Sequence, residues 1–142
     1  MRLQYVCQKI TDPETGGFIL ECDAPSAVAS GNTLDEACEE MHSLLLDLLG
    51  DSLRDHSPFP YASGTKPSNT NATVSFTPVQ SLKVFLVNAM IETGSRPIDI
   101  AQKLGIPRQG MTRILNPRYQ TNLDTLDKAI EATGKHLRVS FA

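Results

Sequence analysis

A chain of 142 residues with 40% hydrophobic residues can bury one ordinary core or two small ones, which excludes collagen-like and disordered classes. No apolar run approaches the ~20 residues that cross a bilayer, and the opening "MRLQYVCQKI" carries no apolar signal region, so a cytoplasmic protein is expected. The formal net charge of −3 hides a split: residues 1–60 carry three Lys/Arg against eleven Asp/Glu, a balance of −8, whereas residues 79–142 carry nine against five, a balance of +4. Exposed charges act over about a Debye length, ~8–10 Å, so each half meets its partners with its own sign. Cys7, Cys22 and Cys38 are odd in number and unpatterned in spacing, which points to reduced, buried thiols rather than a disulfide framework.

Leu3, Tyr5 and Cys7 alternate with polar neighbours, and Phe18, Leu20 and Cys22 do so after the turn-forming "TDPETGG", which predicts a β-hairpin. "SAVAS" follows as a third strand. A clearer element opens at Asn32 and Thr33. Thr33 and Glu36 make a capping box, Asp35 and Glu36 suit the positive end of a helix, and Gly50 suits its far end. Between those marks Leu34, Ala37, Cys38, Met41, Leu44, Leu45, Leu48 and Leu49 recur at helical spacing, so one face must be covered. From Asp51 to Ala72 the chain turns rich in Pro, Ser, Asn and Gly without period, and reads as a loop or linker. "TVSF" then places Val74 and Phe76 on one face of a short strand that returns to the N-terminal sheet. Thr77 with Gln80 caps the next helix, with Pro78 at its first position, and a domain boundary is expected near Thr77.

In the last third, Leu82, Phe85, Leu86, Ala89 and Met90 form a helical stripe ended by Gly94, and Arg96–Pro97 starts another helix. Asn122 caps a later stripe of Leu123, Leu126, Ala129 and Ile130, ended by Gly134. The tail "HLRVSFA" alternates Leu137, Val139 and Phe141 and is expected to be a short strand whose partner comes from a second subunit.

Between Pro97 and Asn116 the residues meet the steric demands of a helix-turn-helix. The small Ala101 stands where the helices approach, Gly105 stands where the turn needs positive φ, and Ile100, Leu104, Ile106, Met111 and Ile114 fill the angle between them. Pro107 fits the start of the second helix, and Asn116–Pro117 ends it. An ordinary helical hairpin with a solvated face would share the glycine turn and the apolar stripes. What remains on the second helix once the core positions are removed is Arg108, Gln109, Thr112 and Arg113. Arg pairs bidentately with guanine and Gln with adenine in the major groove, each worth about 1–3 kcal/mol of discrimination. Arg118 and Tyr119, just beyond, are candidates to hold phosphates. Gly110 breaks the pattern, since a glycine inside a helix costs about 1 kcal/mol relative to alanine.

"GGFILECDAPSAVASGNTLDEACEEMHSLLLDLL" resembles the HicB antitoxin family, whose members carry a glycine-led strand, a Pro-containing stretch and a "GxTxxEA" helix opening. Gly31, Thr33, Glu36 and Ala37 match that opening, and "HSPFPYAS" is similar to the family's Pro/Ser loop. The helix-turn-helix matches the subgroup ending in a Cro/repressor-like DNA-binding domain, while "PSAVAS" departs from the Pro-Gly-Cys-like segment of many members. The resemblance implies an α+β chain. Residues 1–76 would be a toxin-binding domain, a small β-sheet with one covering helix similar to a partial ribonuclease-H-like fold. Residues 77–142 would be a helical DNA-binding and dimerisation domain ending in a short strand. It further implies a type II toxin–antitoxin system: the first domain blocks a small basic mRNA-cleaving HicA toxin, and the second binds operator DNA of the shared operon as a homodimer or higher homo-oligomer.

Rival classes have weaker candidates. Cys38 and His42 stand one helical turn apart, a spacing open to two metal ligands or to a thiol and base, but Cys38 falls on the apolar stripe. His56 in the linker and His136 at the tail read as solvated. Asp35, Glu36, Glu39 and Glu40 are explained by the helix dipole and solubility, and Glu21 with Asp23 is a weak carboxylate pair. No catalytic residue, cofactor or metal is therefore expected. A free-standing helix-turn-helix regulator, or an adaptor pairing through the Leu-rich helix without binding DNA, stands as the alternative.

Overall fold

Alternation in the first thirty residues becomes an antiparallel sheet in the computed structural model, which describes residues 2–141. Strands β1 (Gln4–Thr11), β2 (Phe18–Asp23), β3 (Ser26–Gly31) and β4 (Asn71–Ser75) form four-stranded order β3-β2-β1-β4. All three ladders are antiparallel, with Gln8 opposite Glu21, Glu21 opposite Val28 and Tyr5 opposite Val74. β4 thus arrives beside β1 from more than fifty residues away, as the apolar alternation at Val74 and Phe76 requires. The β2–β3 turn is Ala24–Pro25, joined by a cis peptide bond.

Helix α1 (Leu34–Asp55) starts where the cap predicts. The Thr33 hydroxyl oxygen accepts the Glu36 N–H at 3.1 Å, and the Glu36 carboxylate accepts the Asn32 N–H at 2.9 Å. Gly31 precedes this cap because no side chain fits there: a Cβ would lie 2.5 Å from the Ala37 nitrogen. Ala37, Met41, Leu45, Leu46 and Leu49 are buried, as are Tyr5, Cys7, Leu20, Val74 and Phe76 of the sheet strands and β4's exit.

The helix does not stop at Gly50. It continues to Asp55, because Leu53 packs on apolar side chains of the C-terminal region and Arg54 pairs with Asp51 at 3.0 Å. His56, at φ 50°, ends it: the His56 N–H donates to the Leu53 carbonyl and the Ser57 N–H to that of Ser52. The expected linker is therefore partly helix, and its remainder is tied down. The Tyr5 hydroxyl donates to the Pro60 carbonyl at 2.7 Å, and the Ser63 hydroxyl accepts from Val6 N–H at 2.8 Å while donating to Val6 O at 2.9 Å.

The chain divides into two compact units: residues through Leu49 with Pro60–Pro78, and Gly50–Phe59 with everything from Val79 on. In the second, α2 (Pro78–Thr93), α3 (Pro97–Leu104), α4 (Arg108–Leu115) and α5 (Leu123–Ala132) surround a core of Leu82, Leu86, Met90, Ile100, Ala101, Met111, Ile114, Leu126, Ala129 and Ile130. α3 packs against both α4 and α5. α5 starts as expected, with the Asn122 carboxamide accepting the Thr125 N–H at 2.8 Å. The expected terminal strand is absent: residues 135–141 form no strand, with Val139 72% and Phe141 fully exposed, and Ala142 lies outside the described residues. Two-residue alternation chooses a face, but a strand also needs a neighbour to bond, and among the described residues of this one chain no strand pairs with the tail. The α+β class stands.

Candidate nucleic-acid interface

Gly105 creates the bend between α3 and α4. Its φ of 66° and ψ of 32° are left-handed, its N–H donates to Gln102 O at 3.2 Å, and the Ile106 N–H reaches back to Ala101 O at 3.1 Å. That double closure satisfies carbonyls the helix end would otherwise leave unpaired. α3 is fixed at its other end by Asp99, whose carboxylate takes the Arg96 N–H at 3.0 Å and grips its guanidinium through two contacts at 3.1 Å. The Arg96 hydrogen bond holds the Asp99 carboxyl below its usual range. Ile100, Met111 and Ile114 are buried, and Leu104 and Ile106 pack partly against them, as the sequence pattern requires.

With Met111 and Ile114 turned inward, Arg108, Gln109, Thr112 and Arg113 are all exposed on α4. Thr112 donates its hydroxyl hydrogen to the Arg108 carbonyl at 3.1 Å, so its methyl and its lone pairs are what it can offer outward. The Arg113 guanidinium lies 5.7 Å from the centre of the Tyr119 ring, a cation–π contact that restrains a long flexible side chain. Asn116 shapes the turn beyond α4: its side-chain oxygen accepts the Arg118 N–H at 3.0 Å, and its carbonyl accepts the Tyr119 N–H at 3.1 Å. Arg118 and Tyr119 are exposed there, just beyond the end of α4.

Sequence periodicity gave no hint of the group that holds this end of α4. Lys83 of α2 is 1% exposed, and its ammonium donates to the carbonyls of Tyr119 at 2.6 Å, Asn116 at 2.7 Å and Arg113 at 3.4 Å. Burial pushes its pKa down to about 8. A cation at a helix C-terminus complements the dipole and the spare acceptor capacity of its last carbonyls. The only advance signal was a lysine on a helix whose other faces are apolar.

The rival residues lie elsewhere. His42 sets its ring edge-on to Phe76 at 5.6 Å between centroids, and the Cys38 thiol is pushed up by burial and then by Asp35. Cys7 and Cys22 are buried free thiols on adjacent strands, and Cys38 is a half-buried one. Among the described residues no three His, Cys, Asp or Glu gather where they could hold a metal ion. No helix of the described residues is long and apolar enough to cross a membrane. Asp35, Glu36, Glu39 and Glu40 are exposed along the start of α1, and Glu21 and Asp23 are exposed on β2.

No protein-family model matches the chain. Individual relatives do: it is 30% identical over 136 residues to Antitoxin HicB of Escherichia coli K12, covering 95% of this chain and 96% of that protein. It is 29% identical to Antitoxin HicB 2 of Photorhabdus laumondii over 92% of this chain and 91% of the relative, and 23% identical to Antitoxin HicB of Pseudomonas fluorescens over 89% and 87%. The first of these likenesses covers nearly the whole of both chains, and on it this chain belongs to the HicB antitoxin family.

Proposed function

We propose that this chain is the antitoxin of a type II toxin–antitoxin pair and represses its own operon. Residues 1–76 bind and block a small basic mRNA-cleaving toxin of the HicA kind, without catalysis by the antitoxin itself. Residues 77–142 bind operator DNA through α3 and α4 acting as a helix-turn-helix. The observation that carries the reading is that 30% identity to an antitoxin extends over 95% of the chain, so both halves share in it. The charge split agrees with it, because a balance of −8 in residues 1–60 suits a basic toxin and +4 in residues 79–142 suits phosphate.

In this reading α4 enters the major groove. Arg108, Gln109 and Arg113 meet base edges, Thr112 offers its methyl to thymine, and Arg118 and Tyr119 hold the backbone. One recognition helix reads one half-site, and paired half-sites stand about 34–36 Å apart, so the chain works as a dimer or a higher homo-oligomer. The exposed Val139 and Phe141 of the tail supply a contact for it.

Two measurements test the proposal. Co-expression with the toxin encoded beside it should restore growth, and continued arrest by a soluble, folded antitoxin would reject the toxin half. Arg113→Ala should weaken binding to a duplex from upstream of its own reading frame about tenfold while barely changing affinity for random duplex. Equal loss on both would make Arg113 a phosphate contact, and no binding by the parent protein would leave a toxin-blocking adaptor.

A further inference from the structure

From the geometry around Lys83 we infer that its ammonium is the positioning group of the DNA-reading surface, setting the pose of α4 and Tyr119 by holding three main-chain carbonyls at once. The inference rests on the DNA-binding reading above and adds to it a residue that never touches DNA. Three N–H bonds on one nitrogen meet three acceptors: Arg113 O in the last turn of α4, Asn116 O at its cap and Tyr119 O in the turn beyond. Two of these carbonyls belong to residues assigned to base and phosphate contact, Arg113 and Tyr119, and the third, of Asn116, lies between them. Arg113, in turn, lies over the Tyr119 ring. A single buried atom on α2 therefore fixes the end of the recognition helix and the phosphate-contacting turn relative to each other.

Stoichiometry makes the device sensitive to protonation. A neutral amine keeps two N–H bonds and gains a lone pair, so one of the three carbonyls must lose its contact with Lys83; Arg113 O and Asn116 O each keep a main-chain N–H, from Asn116 and Tyr119, so what is lost is the tie to α2. Among the described residues the groups bonded to the nitrogen are main-chain carbonyls, and burial lowers its pKa to about 8. The titratable side chains of the residues supplying those carbonyls are Arg113 and Tyr119, both exposed. Deprotonation above pH 8 should loosen the surface without unfolding the protein. The sign follows from linkage: a lysine whose folded pKa lies below its unfolded value of about 10.4 binds fewer protons folded than unfolded between those values. Its contribution to stability therefore rises with pH across that window. A fall in DNA affinity over the same window cannot then come from that lysine's effect on unfolding.

The test uses the full chain and a duplex from upstream of its own reading frame, with binding followed by fluorescence anisotropy from pH 7 to pH 9 and stability followed by urea denaturation. The expected result is a several-fold loss of affinity in the parent protein with stability held or raised. Lys83→Met should bind about tenfold more weakly at pH 7 and show a flat profile. If Lys83→Met fails to fold, the parent profile alone decides. Parent binding that stays constant to pH 9, or a folded Lys83→Met that binds as tightly as the parent, overturns the role of Lys83 and leaves the DNA reading intact. Failure of the parent to bind the duplex at pH 7 overturns both.

Discussion

Two glycines act in opposite ways at the level of single residues. Gly31 sits where a Cβ would be 2.5 Å from the Ala37 nitrogen and 2.9 Å from the Glu36 carbonyl carbon, both backbone atoms that cannot swing aside. Gly31→Ala should therefore destabilise the protein by about 1–3 kcal/mol, measured by chemical denaturation, by forcing the α1 cap away from β3. Gly110 is the reverse case. A Cβ there would make ordinary contacts, 3.6 Å to Ile106 Cδ1 and 3.7 Å to Pro107 Cδ, so packing does not require the glycine. Gly110→Ala should stabilise α4 by about 1 kcal/mol and raise the thermal midpoint by a few degrees. Weaker operator binding in that stabilised protein would assign the bare backbone to DNA approach, and unchanged binding would deny it such a role.

Among the elements, α2 departs furthest from what periodicity suggests. Of the expected stripe, Leu82, Leu86, Ala89 and Met90 are buried and Phe85 only partly so, while Ser81, Lys83, Val84, Val87 and Asn88 are buried as well, which places nearly every face out of solvent. Asn88 is the structural counterpart of Lys83. Its carboxamide accepts the Phe59 N–H and donates to the Phe59 carbonyl, both at 2.8 Å, standing in for a strand neighbour. Asn88→Leu should cost about 1–3 kcal/mol for each Phe59 group left unpaired, read as a lower urea midpoint. Helix starts were legible in the sequence because their caps are local: Thr33 with Glu36 and Asn122 with Thr125 bond within four residues. The Gly105 turn was legible for the same reason. The end of α1 was not, because no glycine marks it and a histidine takes the left-handed position. Lys83 and Asn88 were not, because their partners lie about thirty residues away in sequence. Of the six DNA-contact candidates, Arg108, Gln109, Thr112 and Arg113 are the polar remainder of an apolar pattern and Arg118 and Tyr119 lie just beyond it, and all six are exposed.

For the whole molecule, opposite charge in the two halves predicts that salt weakens both proposed associations, one chiefly through its rate and the other through its affinity. Association with a basic toxin should slow as salt rises, with dissociation little changed, in stopped-flow or surface-binding kinetics. Operator affinity should fall log-linearly with a slope of about −0.9 per phosphate contact, so removing Arg118 should make the slope shallower by about one. Replacing Val139 and Phe141 together by serine should shift sedimentation toward the monomer and weaken operator binding more than binding to an isolated half-site.

The backbone passes from one compact unit to the other three times, at Leu49–Gly50, Phe59–Pro60 and Pro78–Val79. Neither half can thus be liberated whole by severing one peptide bond. A stop codon placed after residue 76 would strand Phe59 without Asn88, and a start at residue 79 would deprive the helical core of Leu53. Substitutions can retune each unit residue by residue, but no single truncation removes one of them without injuring the other.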